Sequence, residues 1–192
     1  MKTGSYGKLL SADIEEGFRY DWPAQSDFFF TKKGSGGGVL IDTGSHVFST
    51  LLSLVKGYDM RSLQYRDDEN GGVEAECELQ MSLNGIGMHV KLSRLGPLKN
   101  RLSIEFEKAK MVLQLNKAQG IIAEHGAAEK EIPFVPKLLT SCFDEMLTHF
   151  LTLEPISEQY TNELTRSIEV MRIISNCYKN REKLSKPYLG LL

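Results

Sequence analysis

VEAECELQMSLNGIGMHVKLSR, residues 73–94, decides the fold. Val73, Ala75, Cys77, Leu79 and Met81 alternate with Glu74, Glu76, Glu78 and Gln80. A period of two with one apolar side is the signature of a strand with one buried and one wet face. Asn84-Gly85 follows, the dipeptide that tight two-residue hairpin turns favour because both positions need positive φ. A second alternation then places Ile86, Met88, Val90 and Leu92 against Gly87, His89, Lys91 and Ser93. A two-residue turn at 84–85 dictates the register: 83 faces 86, 81 faces 88, 79 faces 90 and 77 faces 92. Each of these pairs is apolar. The pairs between them are Gln80 with His89 and Glu78 with Lys91, polar with polar. A slip of one residue would set every apolar side chain against a polar one.

Period two extends outward over residues 61–122, with Leu102, Ile104 and Phe106 in a third run and 110–115 as a fourth. The charged run Arg66-Asp67-Asp68-Glu69 reads as a solvated loop. Upstream, 6–31 reads as two short extended segments separated by Gly17, with Trp22-Pro23 after the second. Gly34-Ser35-Gly36-Gly37-Gly38 reads as a flexible link. Residues 39–56 form a helix whose apolar side chains spread round most of its circumference, so it is buried on several sides. Gly57 stands where a helix-ending glycine is expected. Beyond Pro133 and Pro136 two helices follow. In 137–151 the apolar residues Leu138, Leu139, Cys142, Phe143, Met146, Phe150 and Leu151 recur at helical spacing. In 157–181 Ser157 is the cap, and Leu164, Ile168, Met171, Ile174 and Tyr178 form the stripe. Segregated strands and helices predict one α+β domain over 1–192, an open and predominantly antiparallel sheet with helices packed on one face.

With 41% hydrophobic and 25% charged residues the composition is that of a globular protein, and a net charge of -2 gives no broad attraction to nucleic acid or anionic membranes. No run reaches the roughly 18 apolar residues that span a bilayer, and MKTGSYGKLL is no signal peptide. Cys77, Cys142 and Cys177 lack metal-ligand spacing and read as reduced thiols, which points to the cytoplasm.

Asp42 and His46 stand four apart in the 39–56 helix and share a face. A carboxylate beside an imidazole among apolar neighbours can orient the ring and stabilise its charged form, and such a histidine exchanges a proton with a hydroxyl. Their side chains are expected within hydrogen-bonding reach, or bridged by one water, on a helix with little solvent exposure. The glycines before the helix, Gly38 above all, offer bare backbone, and Gly44 leaves room for close approach. His89 reads as surface on the wet sheet face, and His125 and His149 lack clear partners. Ser45 points away from His46 and is no nucleophile.

The segment GGGVLIDTGSHVFSTLLSLVKG (36–57) resembles the central motif of the Gfo/Idh/MocA oxidoreductases, GGG-x-x-x-D-x-G-x-H, matched by Gly36, Gly37, Gly38, Asp42, Gly44 and His46. Weaker similarity runs through FRYDWPAQSDFFF (18–30), 71–94 and the final helix. The resemblance implies the C-terminal, substrate-binding domain of an enzyme that moves hydride between a sugar or polyol and NAD or NADP. It implies His46 as acid/base, Asp42 as its orienting or substrate-binding carboxylate, and Trp22, Tyr20 and Gly38 as substrate contacts. It also implies a Rossmann domain for the nucleotide. No G-x-G-x-x-G lies between a strand and a helix here. The family's Glu-Lys-Pro lysine belongs to that other domain too. The chain by itself is therefore expected to bind no nucleotide and to be inactive.

Two other functions are open. One is a non-catalytic scaffold or oligomerisation module of the same fold, which retention of both Asp42 and His46 disfavours. The other is an NAD-dependent glycosidase domain. The open sheet face, with charges of both signs, is the expected surface of a homodimer that weakens as salt rises.

Overall fold

The computed structural model describes residues 5–21, 26–55, 57–68, 73–117, 119–132, 139–152 and 157–184. Its strands are β1 (Leu9–Gly17), β2 (Met60–Asp67), β3 (Glu76–Leu83), β4 (Ile86–Ser93), β5 (Arg101–Phe106), β6 (Ala109–Gln114), β7 (Gln119–Glu124), β8 (Lys130–Ile132) and β9 (Arg181–Lys183). They form one open sheet in the order β8-β7-β6-β5-β1-β4-β3-β2-β9. Two antiparallel meanders, β2–β4 and β5–β8, are joined through β1, which runs parallel to β4 and antiparallel to β5. The helices are α1 (Lys32–Ser35), α2 (Val39–Ser53), α3 (Leu139–Thr152) and α4 (Glu158–Lys179).

The β3–β4 hairpin takes the register read from the sequence, Cys77 with Leu92 through Leu83 with Ile86, including Glu78 with Lys91 and Gln80 with His89. Asn84 (φ 53) and Gly85 (φ 80) both occupy the left-handed region that this turn demands. Helices α2 and α4 pack on each other and on the β2–β4 side of the sheet. The apolar side chains of β1, β3 and β4 (Ala12, Ile14, Cys77, Leu79, Met88, Val90 and Leu92) join Leu40, Val47, Phe48 and Leu51 of α2 in the core. Each large side chain so buried contributes roughly 1.5–3 kcal/mol.

Because β1 separates β4 from β5, the chain from Arg94 to Asn100 has to cross the end of β1. Gly17 stands under this crossing. A Cβ there would lie 2.7 Å from the Gly96 carbonyl oxygen and 2.9 Å from the Leu98 nitrogen. The Gly17 N–H donates to Asn100 Oδ1 at 2.8 Å, and Asn100 itself is left-handed at φ 48.

Four sequence readings are corrected. Only Leu9–Gly17 of the 6–31 stretch is a strand; Phe28–Phe30 form a single 3-10 turn and Lys32–Ser35 a helical one, because the Thr31 hydroxyl caps the Gly34 N–H. Arg66 and Asp67 end β2, and Asp67 is buried. Glu74 and Glu76, read as wet, are buried, since protein donors reach both. Helix α4 turns Val170, Ile173, Ile174 and Cys177 inward, whereas Leu164, Ile168 and Met171 of the expected stripe are exposed. The Ser157 cap is formed, its hydroxyl accepting from the Tyr160 N–H at 3.1 Å. On α3, Phe143, Met146, Leu147, Phe150 and Leu151 are exposed.

Candidate active site

The site is built on α2, and α2 is held at its first turn by a buried carboxylate. A helix N-terminus leaves its leading N–H groups without intrahelical partners. Here Glu74 supplies one from outside: Oε1 accepts from the Gly38 N–H at 2.8 Å and the Leu40 N–H at 3.1 Å, while the Glu74 carbonyl accepts from Val39 N–H at 2.9 Å. The same Oε1 accepts from the Tyr178 hydroxyl at 2.8 Å, and Arg181 lies 3.5 Å from Oε2. Arg181 also lies 2.7 Å from buried Asp67. Burial and the Glu74 carboxylate push the Tyr178 phenol above its usual range. Negative charge at a helix N-terminus is favourable, so the anion is matched by dipole, cation and hydrogen bonds together.

The glycines before α2 are explained by this junction. Gly36, at φ 79, closes the α1 turn. A Cβ on Gly37 would stand 1.9 Å from the Tyr178 hydroxyl, and one on Gly38 would stand 1.8 Å from the Glu74 carbonyl oxygen. The segment is a fitted joint, not a flexible link. Gly38 is buried with its N–H committed, so it does not offer backbone to a substrate as expected.

One turn further on, the environment opens. Asp42 and His46 are exposed, contrary to the expected buried pair. Apolar residues Leu40, Val47, Phe48 and Leu51 take the inner sides of α2 and leave this one outward. No hydrogen bond joins Asp42 to His46. Asp42 Oδ2 instead accepts from Arg94 Nη2 at 2.6 Å, and the Arg94 side chain is only 7% exposed. The Arg94 guanidinium sits over the Tyr20 ring, 5.5 Å from its centroid, within cation–π range. Tyr20 packs edge-on against Phe30 at 5.7 Å, and its N–H donates to the Arg94 carbonyl at 2.9 Å. Glu16, one residue before the end of β1, feels the charge of His46: burial raises its carboxyl and His46 lowers it.

Of the residues expected at a site, the structure links Asp42 and Tyr20 through Arg94 and leaves His46 one turn further along α2. It places Gly38 in the helix joint. Trp22 lies outside the described residues. Sequence reasoning missed Arg94, Glu16 and Glu74. The signal for the first two was a charge in phase with a buried strand face: Met88, Val90, Leu92, then Arg94; Ala12, Ile14, then Glu16. Among the described residues no His/Cys/Asp/Glu group is arranged to hold a metal ion, and Cys77, Cys142 and Cys177 are free thiols. No helix among them is long and apolar enough to cross a membrane.

Comparison with known proteins bears on what such a site belongs to. The model of the GFO/IDH/MocA C-terminal domain matches residues 1–112. No curated protein matches the chain at the level of sequence. Among solved structures, an aldose-aldose oxidoreductase from Caulobacter crescentus is 17% identical with TM-score 0.69, over 92% of this chain and 55% of its own. A UDP-N-acetylglucosamine 3-dehydrogenase from Acidithiobacillus ferrooxidans is 13% identical with TM-score 0.71, over 94% of this chain and 56% of its own. A levoglucosan dehydrogenase, solved with NADH and levoglucosan, is 14% identical with TM-score 0.70, over 93% and 59%. At these identities the likeness is one of fold, and the chain spans somewhat over half the length of each.

Proposed function

Because the chain belongs to the GFO/IDH/MocA family, whose C-terminal domain it matches, we propose that it is the substrate-binding and catalytic half of an oxidoreductase acting on a hydroxyl of a sugar or polyol. NAD or NADP is the hydride partner, bound mainly by a nucleotide-binding domain outside these residues. The glycine-rich segment here does not fit a pyrophosphate, since the Gly38 and Leu40 N–H groups are already taken by Glu74.

The observation that carries this reading is the open face of α2, where a histidine without a hydrogen bond from its ring to any described residue stands one turn from an anchored carboxylate. His46 takes the hydroxyl proton as the alcohol carbon is oxidised and returns it in the reverse direction. Asp42, fixed through Arg94, keeps its second oxygen for a neighbouring hydroxyl. Tyr20 braces the guanidinium from below. The test is turnover of a chain that carries these residues with a nucleotide-binding domain. His46→Ala is expected to lower it by about 10²–10⁴-fold, the usual worth of a general acid/base; near-unchanged turnover removes His46 from the reaction. The 192 residues alone should give no calorimetric signal with micromolar NAD or NADP.

The uncovered face of the sheet is the surface proposed for a homodimer. Its charges are largely paired within one copy: His89 lies 2.7 Å from Glu78 and 3.6 Å from Asp13, and Arg101 lies 3.4 Å from Glu15. Sedimentation at low and high salt tests both the dimer and its salt dependence.

A further inference from the structure

Helix α3 has a face made for burial, and nothing among the described residues buries it. Phe143, Met146, Leu147, Phe150 and Leu151 fall at i, i+3, i+4, i+7 and i+8, which is one continuous apolar stripe. All five are exposed, Phe150 and Leu151 to 72%. No described residue of α3 is buried. A helix of 14 residues is marginal in water unless its apolar side is packed. Helix α4 carries a second face of the same kind. Its Val170, Ile173, Ile174 and Cys177 enter the core, while Tyr160, Leu164, Ile168 and Met171 lie roughly a third of a turn away and are exposed. A hollow lined by Ser167, Ile168, Met171, Arg172 and Ser175 runs along this second face. His149 Nε2 lies 3.0 Å from Glu163 Oε1 and ties α3 to the first half of α4. More than half of the large apolar side chains exposed among the described residues stand on these two helices. Such a concentration marks a surface that something covers.

We propose that the exposed apolar sides of α3 and α4 are the seat of the nucleotide-binding domain. The inference rests on the oxidoreductase reading above, which places the nucleotide outside these residues. Three observations favour that occupant over a second copy of this chain. The aldose-aldose oxidoreductase, the UDP-N-acetylglucosamine 3-dehydrogenase and the levoglucosan dehydrogenase each carry more than two fifths of their length beyond the part matched. Each therefore has further chain to set beside this fold. Next, α4 packs on α2, the helix that carries Asp42 and His46. A domain seated on α3 and α4 lies beside that helix, and a hydride acceptor has to be held against the carbon it oxidises. Finally, the stripes are apolar, as in lasting contacts, whereas the sheet face proposed for the homodimer is charged.

Hydrogen exchange tests the seat without any assay of turnover. The amides of Leu139–Thr152 are followed in the 192 residues alone and in a chain that carries them with a nucleotide-binding domain. In the 192 residues they should exchange fast, and the protein should bind the apolar dye anilinonaphthalene sulfonate. In the longer chain exchange in α3 should slow by about tenfold or more, and dye binding should fall. Phe150→Lys and Leu164→Lys in the longer chain should each return most of the fast exchange, as charges set into an apolar contact do. Both positions are exposed, so neither substitution should move the unfolding midpoint of the 192 residues. Equal exchange in the two chains overturns the seat. So does protection in the 192 residues that rises with protein concentration, because a second copy then covers the stripes. Dehydrogenation of a sugar or polyol with α3 unprotected sinks the seat and keeps the oxidoreductase reading. Protection of α3 in a longer chain that dehydrogenates no sugar or polyol keeps the seat and sinks that reading.

Discussion

The first turn of α2 and the turn that follows it belong to one helix and live in opposite surroundings. At the first turn Gly38, Val39 and Leu40 are buried, and three backbone N–H groups end on Glu74. One turn later Asp42 and His46 stand in the open, with a single anchor, Arg94, below them. The difference separates two tasks. The buried end fixes where the helix starts, in a low-dielectric environment where a lost partner is expensive. The open stretch leaves the Asp42 and His46 side chains facing outward. A helix uniformly buried could not present them, and a helix uniformly open would not be held still.

The contrast can be broken hardest at Glu74. Glu74→Ala leaves two N–H groups, Tyr178 and Arg181 without their shared acceptor, and is expected to destabilise the domain by about 3–5 kcal/mol, the range for removing one side of a buried charged pair. Denaturant unfolding measures it. A loss comparable to that of a surface substitution would mean that α2 is placed by its apolar face alone. Gly38→Ala comes next. Its methyl meets the Glu74 backbone, which cannot swing aside as a side chain can, and about 1–3 kcal/mol or more is expected from such overpacking.

Effects at the open turn are smaller and divide between its two residues. Asp42→Ala strands a buried guanidinium and should lower stability by about 1–3 kcal/mol. His46→Ala should stay within about 0.5 kcal/mol, as an exposed position without a hydrogen bond from its ring does. Equal losses at both would erase the distinction between an anchored and a free group. The finest test is pH dependence. The Glu16 carboxyl is raised above its ordinary 4.5 in the folded chain. The folded state therefore binds that proton more tightly than the unfolded state, and stability falls as pH rises from 4.5 through the raised value. Glu16→Gln should flatten the stability curve in that window. A curve unchanged by the substitution would place Glu16 in ordinary solvent.

The same contrast explains what the sequence disclosed. The hairpin was legible to single pairs because a two-residue turn and a period of two leave one register. The sheet order was not, since nothing local tells β1 to lodge between β4 and β5. Asp42 and His46 were legible by spacing, but their exposure was not: the apolar residues of α2 spread widely, and only the packed sheet and α4 choose which sides are covered. Leu164, Ile168 and Met171 on α4 form as good a stripe as Val170, Ile173, Ile174 and Cys177, and tertiary packing picks the second. Glu74 looked wet because alternation assigns faces, whereas a helix start arriving from 36 residues away in sequence turns one of those faces inward. The Asp42–Arg94 pair spans 52 residues and no short-range rule joins its members.

The placement of β1 has a consequence in time. The β3–β4 hairpin closes over the two residues Asn84 and Gly85 and can form once Ile86–Ser93 have followed them out of the ribosome. β1 precedes the other strands of the sheet yet has its partners far along the chain, Ser11 opposite Gly87 and Ile14 opposite Leu102. Long closures of this kind are slow steps in folding. Tyr20 joins Arg94 only when β1 has slotted in and the 94–100 crossing has shut over Gly17. The Tyr20–Arg94 contact is thus expected among the last to form, and a chain stalled before that step would hold a sound hairpin without it.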